Sequence, residues 1–207
     1  MKSSIVGFSL LSILFLISCK GIKQVETKYE NGRTFESYSI RLEGKDSIRE
    51  GSYKRFDDGG NILEECIYLN GKIHGLRKMY LDGKLISEET RDQDKYQGPF
   101  KAYHNNGAVQ LEAEYINDEM TGLVKVYYPH GGLKETVTFD KNVEMGPFKE
   151  YHENGRLKAE GVYHQFEGPV EHGELKLYDT SGILIKIMQC DMGKCSTTWK
   201  KDSLIIN

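Results

Sequence analysis

Little in this 207-residue chain favours helix. Beyond residue 20 no stretch repeats apolar residues at a spacing of three to four, which excludes long helical architectures. A surplus of one charge sign is lacking too. Lys and Arg number 28 against 31 Asp and Glu, a formal net charge of −3 with the two signs interspersed. Such a chain has no electrostatic footprint for nucleic acid, and none is expected as a partner. Catalytic signatures are missing: there is no G-x-S-x-G, no H-E-x-x-H and no phosphate-cradling glycine loop opening a helix. The sequence therefore assigns no catalytic residue, no cofactor and no small-molecule substrate, and the chain reads as a non-enzyme. Tryptophan occurs once, while tyrosine occurs 13 times. The one long hydrophobic run, residues 5 to 17, is too short for a bilayer-spanning helix, which needs roughly 20 residues.

That run has the length of a secretory h-region, and Lys2 gives it a positive start. It ends in Leu16-Ile17-Ser18-Cys19, which resembles the lipobox of bacterial lipoproteins. The resemblance implies cleavage before Cys19 and acylation of that residue. Acyl chains contribute about 0.8 kcal/mol per buried methylene, and stable anchoring takes more than one chain. The mature protein is thus expected to be held on a membrane through lipidated Cys19. Lys20-Gly21 follows the cysteine in place of the aspartate that resembles an inner-membrane retention signal. The expected location is the outer membrane, facing the periplasm.

What the rest of the chain has in quantity is self-similarity. Residues 98 to 107 read GPFKAYHNNG and residues 146 to 155 read GPFKEYHENG. Aligned on the opening glycine, copies start at Gly51, Gly75, Gly98, Gly122, Gly146 and Gly173. Five positions on sits an aromatic residue in every copy: Phe56, Tyr80, Tyr103, Tyr127, Tyr151 and Tyr178. Three positions on sits a lysine: Lys54, Lys78, Lys101, Lys125, Lys149 and Lys176. A worn copy precedes them in YENGRTFESY, residues 29 to 38. A period of this size marks a repeat array.

Asn106-Gly107 and Asn154-Gly155, flanked by short alternating runs, predict β-hairpins with two-residue turns in which both turn residues take positive φ. Counting outward places Lys101 opposite Glu112, Lys149 opposite Glu160 and, about Gly59-Gly60, Lys54 opposite Glu65. The same count puts Tyr103 opposite Gln110, Tyr151 opposite Lys158 and, about Asp82-Gly83, Lys78 opposite Ser87. Cross-strand opposite charges contribute roughly 0.2–1 kcal/mol each and help fix register. Alternation gathers Phe100, Ala102, Val109, Leu111, Ala113 and Tyr115 on one face, and Phe148, Leu157, Ala159 and Tyr163 on its counterpart. The lysine, glutamate and aromatic columns share the other face. A second turn closes each unit, so the fold class is all-β: an elongated, twisted antiparallel meander of stacked hairpins.

The pattern G-x-x-K-x-Tyr, Asn-Gly, a hydrophobic/Glu strand and Asn-Gly-Lys-x-x-Gly resembles the variant MORN repeat of bacterial proteins. The resemblance spans residues 29 to 195. It implies stacked hairpins that bury an apolar face only together, and a binding or scaffold role. The expected organisation is a signal peptide over 1–18, a lipidated linker over 19–28, the array over 29–195 and a capping strand over 196–207. The aromatic column, with Lys101 and Lys149, forms the candidate binding face for an unidentified protein partner of a monomeric chain. Similar repeats also occur in antitoxin-type proteins that neutralise a toxin, which is the alternative function. Lipid-headgroup binding ranks below both, because the glutamate column offsets the lysines.

The histidines and cysteines complete the survey. His104 and His152 hold equivalent positions four strands apart, about 19 Å, too far to share a metal. His164, Glu167, Glu171 and His172 are clustered in sequence but match no zinc spacing, so no metal site is assigned. Cys190 and Cys195 face each other across a turn centred on Met192-Gly193 and form a disulfide candidate in an oxidising compartment. Cys66 falls at the position of Ala113 and reads as a buried small hydrophobe.

Overall fold

The computed structural model describes residues 21–201. The signal segment, Cys19 and residues 202–207 of the expected capping strand lie outside the described residues. Among the described residues every regular element is a strand, and the chain divides into two compact units at Gln97/Gly98.

The first unit holds β1 Ile22–Lys28, β2 Thr34–Glu43, β3 Asp46–Phe56, β4 Ile62–Leu69, β5 Lys72–Ile73, β6 Gly75–Leu81 and β7 Lys84–Asp92. Each pairs antiparallel with the next, except that β4 takes both β5 and β6 as neighbours. Residues 22–28, expected to be linker, add strand β1 to the edge of β2 and bury Val25. The second unit is again a meander, built from β8 Lys95–Tyr103, which enters it at Gly98, β9 Val109–Ile116, β10 Glu119–Tyr127, β11 Leu133–Asp140 and β12 Val143–Tyr151. There follow β13 Leu157–Gln165, β14 Pro169–Glu171, β15 Gly173–Tyr178, β16 Leu184–Asp191 and β17 Lys194–Lys200. Pairing is again antiparallel, with β13 shared between β14 and β15.

The glycine turns differ from the two-residue expectation. His104 and Ala108 close the β8–β9 loop through His104 N–H to Ala108 C=O at 2.8 Å, and Gly107 N–H bonds back to His104 C=O at 2.8 Å. Only Gly107 has positive φ (84°); Asn106 does not need it, since its side-chain oxygen accepts the Ala108 N–H at 3.0 Å. This is a three-residue loop ending in a left-handed glycine. It displaces the register by one residue, so Tyr103 faces Val109, not Gln110. A β-bulge between Ala102 and Tyr103 then skips Gln110 and restores Lys101 to Glu112. Loop and bulge cancel. The hairpins at Asn154-Gly155 and Gly59-Gly60 repeat the device: Tyr151 faces Leu157 and Phe56 faces Ile62, while Lys149 faces Glu160 and Lys54 faces Glu65. Asp82-Gly83 is a true two-residue turn (φ 50° and 72°). There the bulge is uncompensated, and Lys78 meets Glu88, not Ser87.

In the second unit the buried cluster is Ala113, Val124, Val137, Phe148 and Ala159, with Phe100, Leu111, Tyr115 and Tyr163 packed against it. Phe100 faces Ala113 and Val137 faces Phe148 across strands, the large-against-small filling that a tight core needs. The first unit fills the same columns differently. Tyr53 faces a buried Cys66, but the next repeat puts Arg77 opposite Glu89. That face is therefore mostly apolar in the second unit, though Glu135 faces Glu150 there, and holds a network of ion pairs in the first, which alternation alone did not indicate.

Candidate functional site

Strand alternation places each column lysine and its opposite glutamate on one face, and the bulge sets the following aromatic beside them. Lys54 Nζ lies 2.7 Å from Glu65, Lys78 Nζ 3.0 Å from Glu88, Lys101 Nζ 3.0 Å from Glu112 and Lys149 Nζ 3.9 Å from Glu160. Each of three glutamates also faces the lysine of the next repeat: Glu65 faces Lys78, Glu112 faces Lys125 and Glu160 faces Lys176. The tyrosine of that next repeat closes a triad. Tyr80 donates its hydroxyl to Glu65 at 3.1 Å, Tyr127 to Glu112 at 2.8 Å and Tyr178 to Glu160 at 2.7 Å. The Tyr127 hydrogen bond, then the Lys101 ammonium, hold the Glu112 carboxyl below its ordinary pKa. Burial and the same hydrogen bond push the Tyr127 phenol up to about 12. These groups are spoken for: the lattice ties one hairpin to the next.

Two of the remaining aromatic positions, Phe56 and Tyr151, serve the same end through their backbones. Tyr29 donates to Phe56 C=O and Tyr128 to Tyr151 C=O, each at 2.8 Å. His104 donates from Nε2 to Tyr127 C=O at 2.9 Å, and His152 to Tyr178 C=O at 3.1 Å. Turn asparagines add a rung, Asn106 to Pro129 C=O and Asn154 to Thr180 C=O, both at 2.7 Å. Tyr103 ends β8 opposite Val109. His104 and His152 are thus staples between successive turns.

Other groups come together that the sequence survey passed over. Arg49 lies over the rings of Tyr38, Tyr53 and Tyr68 at 4.9, 4.8 and 5.3 Å and reaches Glu36 at 3.4 Å. Arg55, Glu64, Arg77, Glu89 and Arg91 form a chain of ion pairs between 2.5 and 3.3 Å, with the Glu64 and Glu89 side chains 8% and 3% exposed. Burial alone would raise the Glu89 carboxyl; hydrogen bonds from Tyr96, Arg77 and Arg91 outweigh it and leave it lowered. The signal for this network was an arginine standing in the column held by Phe100, Val124 and Phe148. Cys66 is a free thiol whose pKa burial pushes up to about 12. Cys190 and Cys195 are disulfide-bonded across the β16–β17 turn. Lipidation of Cys19 falls outside the described residues.

Beside the lattice, two residues earlier on each strand, a different row faces outward in the second unit. Pro99 faces Glu114, Leu123 faces Thr138 and Pro147 faces Val162. Leu123 and Val162 are 53% and 39% exposed. An open groove of about 230 Å³ runs along Pro99, Glu114 and Leu123, flanked by Lys101, Glu112 and Lys125. The sequence signal was the residue after each opening glycine, which is Pro, Leu and Pro at Gly98, Gly122 and Gly146.

Four segments of the chain, residues 49–70, 96–117, 120–141 and 146–165, match the family described as MORN repeat variant. They coincide with the hairpins β3–β4, β8–β9, β10–β11 and β12–β13. The chain is a MORN-repeat protein, and its repeats are of the variant type. No curated protein matches it. Among solved structures it is similar to a porin-like protein from Bacteroides uniformis ATCC 8492, with 8% identity and a TM-score of 0.22 over 90% of this chain and 92% of that one. At that score the likeness carries no argument.

Proposed function

We propose that this MORN-repeat protein is a non-catalytic binding module, tethered to the outer membrane through lipidated Cys19 and presenting its second unit to a protein partner in the periplasm. The observation that carries the reading is the outward row of Pro99, Leu123, Pro147 and Val162 beside a polar lattice satisfied within the array. A fixed polar frame around exposed apolar side chains suits protein recognition, where buried apolar anchors supply the energy and a polar rim excludes water. The tyrosine column, expected to be the recognition element, supports the surface rather than forming its contact. The groove is shallow and open, a poor enclosure for a small molecule.

A photo-crosslinking residue at Leu123 in the acylated full chain, expressed in its own envelope, is expected to capture a discrete protein. Leu123→Glu is expected to abolish capture of that protein by a crosslinker at Val162, while Tyr127→Phe leaves it intact. Capture unaffected by Leu123→Glu would overturn the assignment of the row. Cys19→Ala is expected to move the protein from the membrane to the soluble fraction. Retention on the membrane would overturn the anchor. A toxin as the captured species would establish the antitoxin role in place of a scaffold.

A further inference from the structure

The longer spacing between Gly146 and Gly173 adds the short strand β14, and this brings side by side two histidines of the sequence cluster that matched no zinc spacing. His164 on β13 faces Val170, and the backbone N–H of His172 donates to Val162 C=O at 2.9 Å. They are diagonal neighbours on one face, both exposed. Their ring centres are 5.3 Å apart. An imidazole bound to zinc through one nitrogen holds its ring centre roughly 3.2 Å from the ion, so two at a tetrahedral angle stand about 5.2 Å apart. The observed separation of 5.3 Å matches that spacing. On the next strand, Asp191 Oδ1 lies 3.6 Å from His172 Nδ1. That is just beyond hydrogen-bond distance; when the pair closes, a carboxylate holding one ring nitrogen directs the other toward a metal, as for most metal-bound histidines.

The first unit supplies an internal comparison. His74 Nδ1 and Asp92 Oδ1 stand 3.0 Å apart at the equivalent column, and His74 N–H bonds Ile67 C=O as His172 bonds Val162. There the position of His164 is taken by Leu69. The histidine–aspartate pair thus recurs in two of the six copies, and the second imidazole is particular to the one with the insertion.

We propose that His164 and His172 form a surface site for a divalent transition-metal ion of the zinc type, with Asp191 as a positioning residue. Among the described residues no three metal-ligating side chains already converge, so the remaining coordination positions belong to water. Glu171 neighbours His172 on the strand and alternates to the other face, leaving the two imidazoles as the protein ligands. The ion would clip β13 to the turn before β15, across the one junction lengthened by an insertion.

The test is calorimetric titration of Zn²⁺ into the full chain with its disulfide intact. One saturable ion per chain is expected. His164→Ala and His172→Ala should each weaken binding at least tenfold, and Asp191→Asn about tenfold. His74→Ala should leave it unchanged. The ring protons of His164 and His172 should shift together in NMR spectra as the ion is added. All these side chains are exposed, and unchanged metal-free circular dichroism confirms folding of each variant. No saturable binding, binding that survives His164→Ala, or an equal loss in His74→Ala would overturn the site.

Discussion

A single phenol shows how the array is held. Tyr127 reaches back to the Glu112 of the preceding hairpin, which already faces Lys101 and Lys125. Because the triad is partly exposed, its hydrogen bond contributes modestly; Tyr127→Phe is expected to cost about 1 kcal/mol in urea unfolding at neutral pH. The acid side carries the sharper test. Glu112 has a lowered folded pKa, so the stability it confers is present above the ordinary carboxylate value and lost as pH falls through the folded one. Without the Tyr127 hydroxyl, the largest cause of the lowering, that loss should shrink. An unaltered pH profile in the variant would remove the triad from the account of stability. The lysine–glutamate half of this triad was legible in the sequence, since a hairpin pairs residues close along the chain. The tyrosine half was not, because it depends on which hairpin stacks on which.

Among the elements, β12 and β13 show what the repeat tolerates. Phe148 packs in the core with its ring stacked on Tyr163, centres 4.4 Å apart. Gly161 lies opposite Phe148, where neighbouring repeats carry Ala113 or Val137. A Cβ there would stand 2.9 Å from the Phe148 ring and 3.2 Å from Leu175. Gly161→Ala is expected to destabilise by about 1–3 kcal/mol through overpacking, and Gly161→Ala with Phe148→Leu should recover part of it; thermal unfolding measures both. A stabilising single variant would show that the ring has room to move. Register at this scale was readable in its outcome, since Lys149 does face Glu160. Its mechanism was not. Two opposed irregularities, a longer loop and a bulge, give the lysines the same partners as one tight turn while shifting those of Tyr103 and Tyr151; at Asp82-Gly83 the lysine itself shifts, and Lys78 faces Glu88.

On the scale of the whole molecule, one perturbed carboxylate in each unit answers acid with the opposite sign to the other. In the first, Glu89 is held low by Tyr96, Arg77 and Arg91 against the cost of burial, and its contribution is lost as pH falls. Removing one partner of a buried pair costs about 3–5 kcal/mol, which is expected for Glu89→Leu, with much of it recovered in Glu89→Leu/Arg77→Leu. In the second unit burial, then the neighbouring Glu150 and Glu144, raise Glu135. Glu135 faces Glu150 across β11 and β12. Its stability contribution is complete below the ordinary carboxylate pKa and lost as pH rises through the folded value. Glu135→Gln should therefore stabilise at neutral pH and do nothing in acid. Hydrogen exchange, corrected for intrinsic rates, should show protection in β4, β6 and β7 falling at a higher pH than in β11 and β12; the reverse order would contradict this assignment. The sequence by itself determined the repeat, the all-β class, the lysine–glutamate pairs and the apolar side of the second unit. Those follow from a period of two and from contacts within one hairpin. Only the tertiary structure decided the bulges, the tyrosine triads, the ionic core of the first unit and the meeting of His164 with His172. The triads and the ionic core join residues from different hairpins, while the bulges and the insertion alter register within one; in both cases a shift of one position turns a side chain to the opposite face.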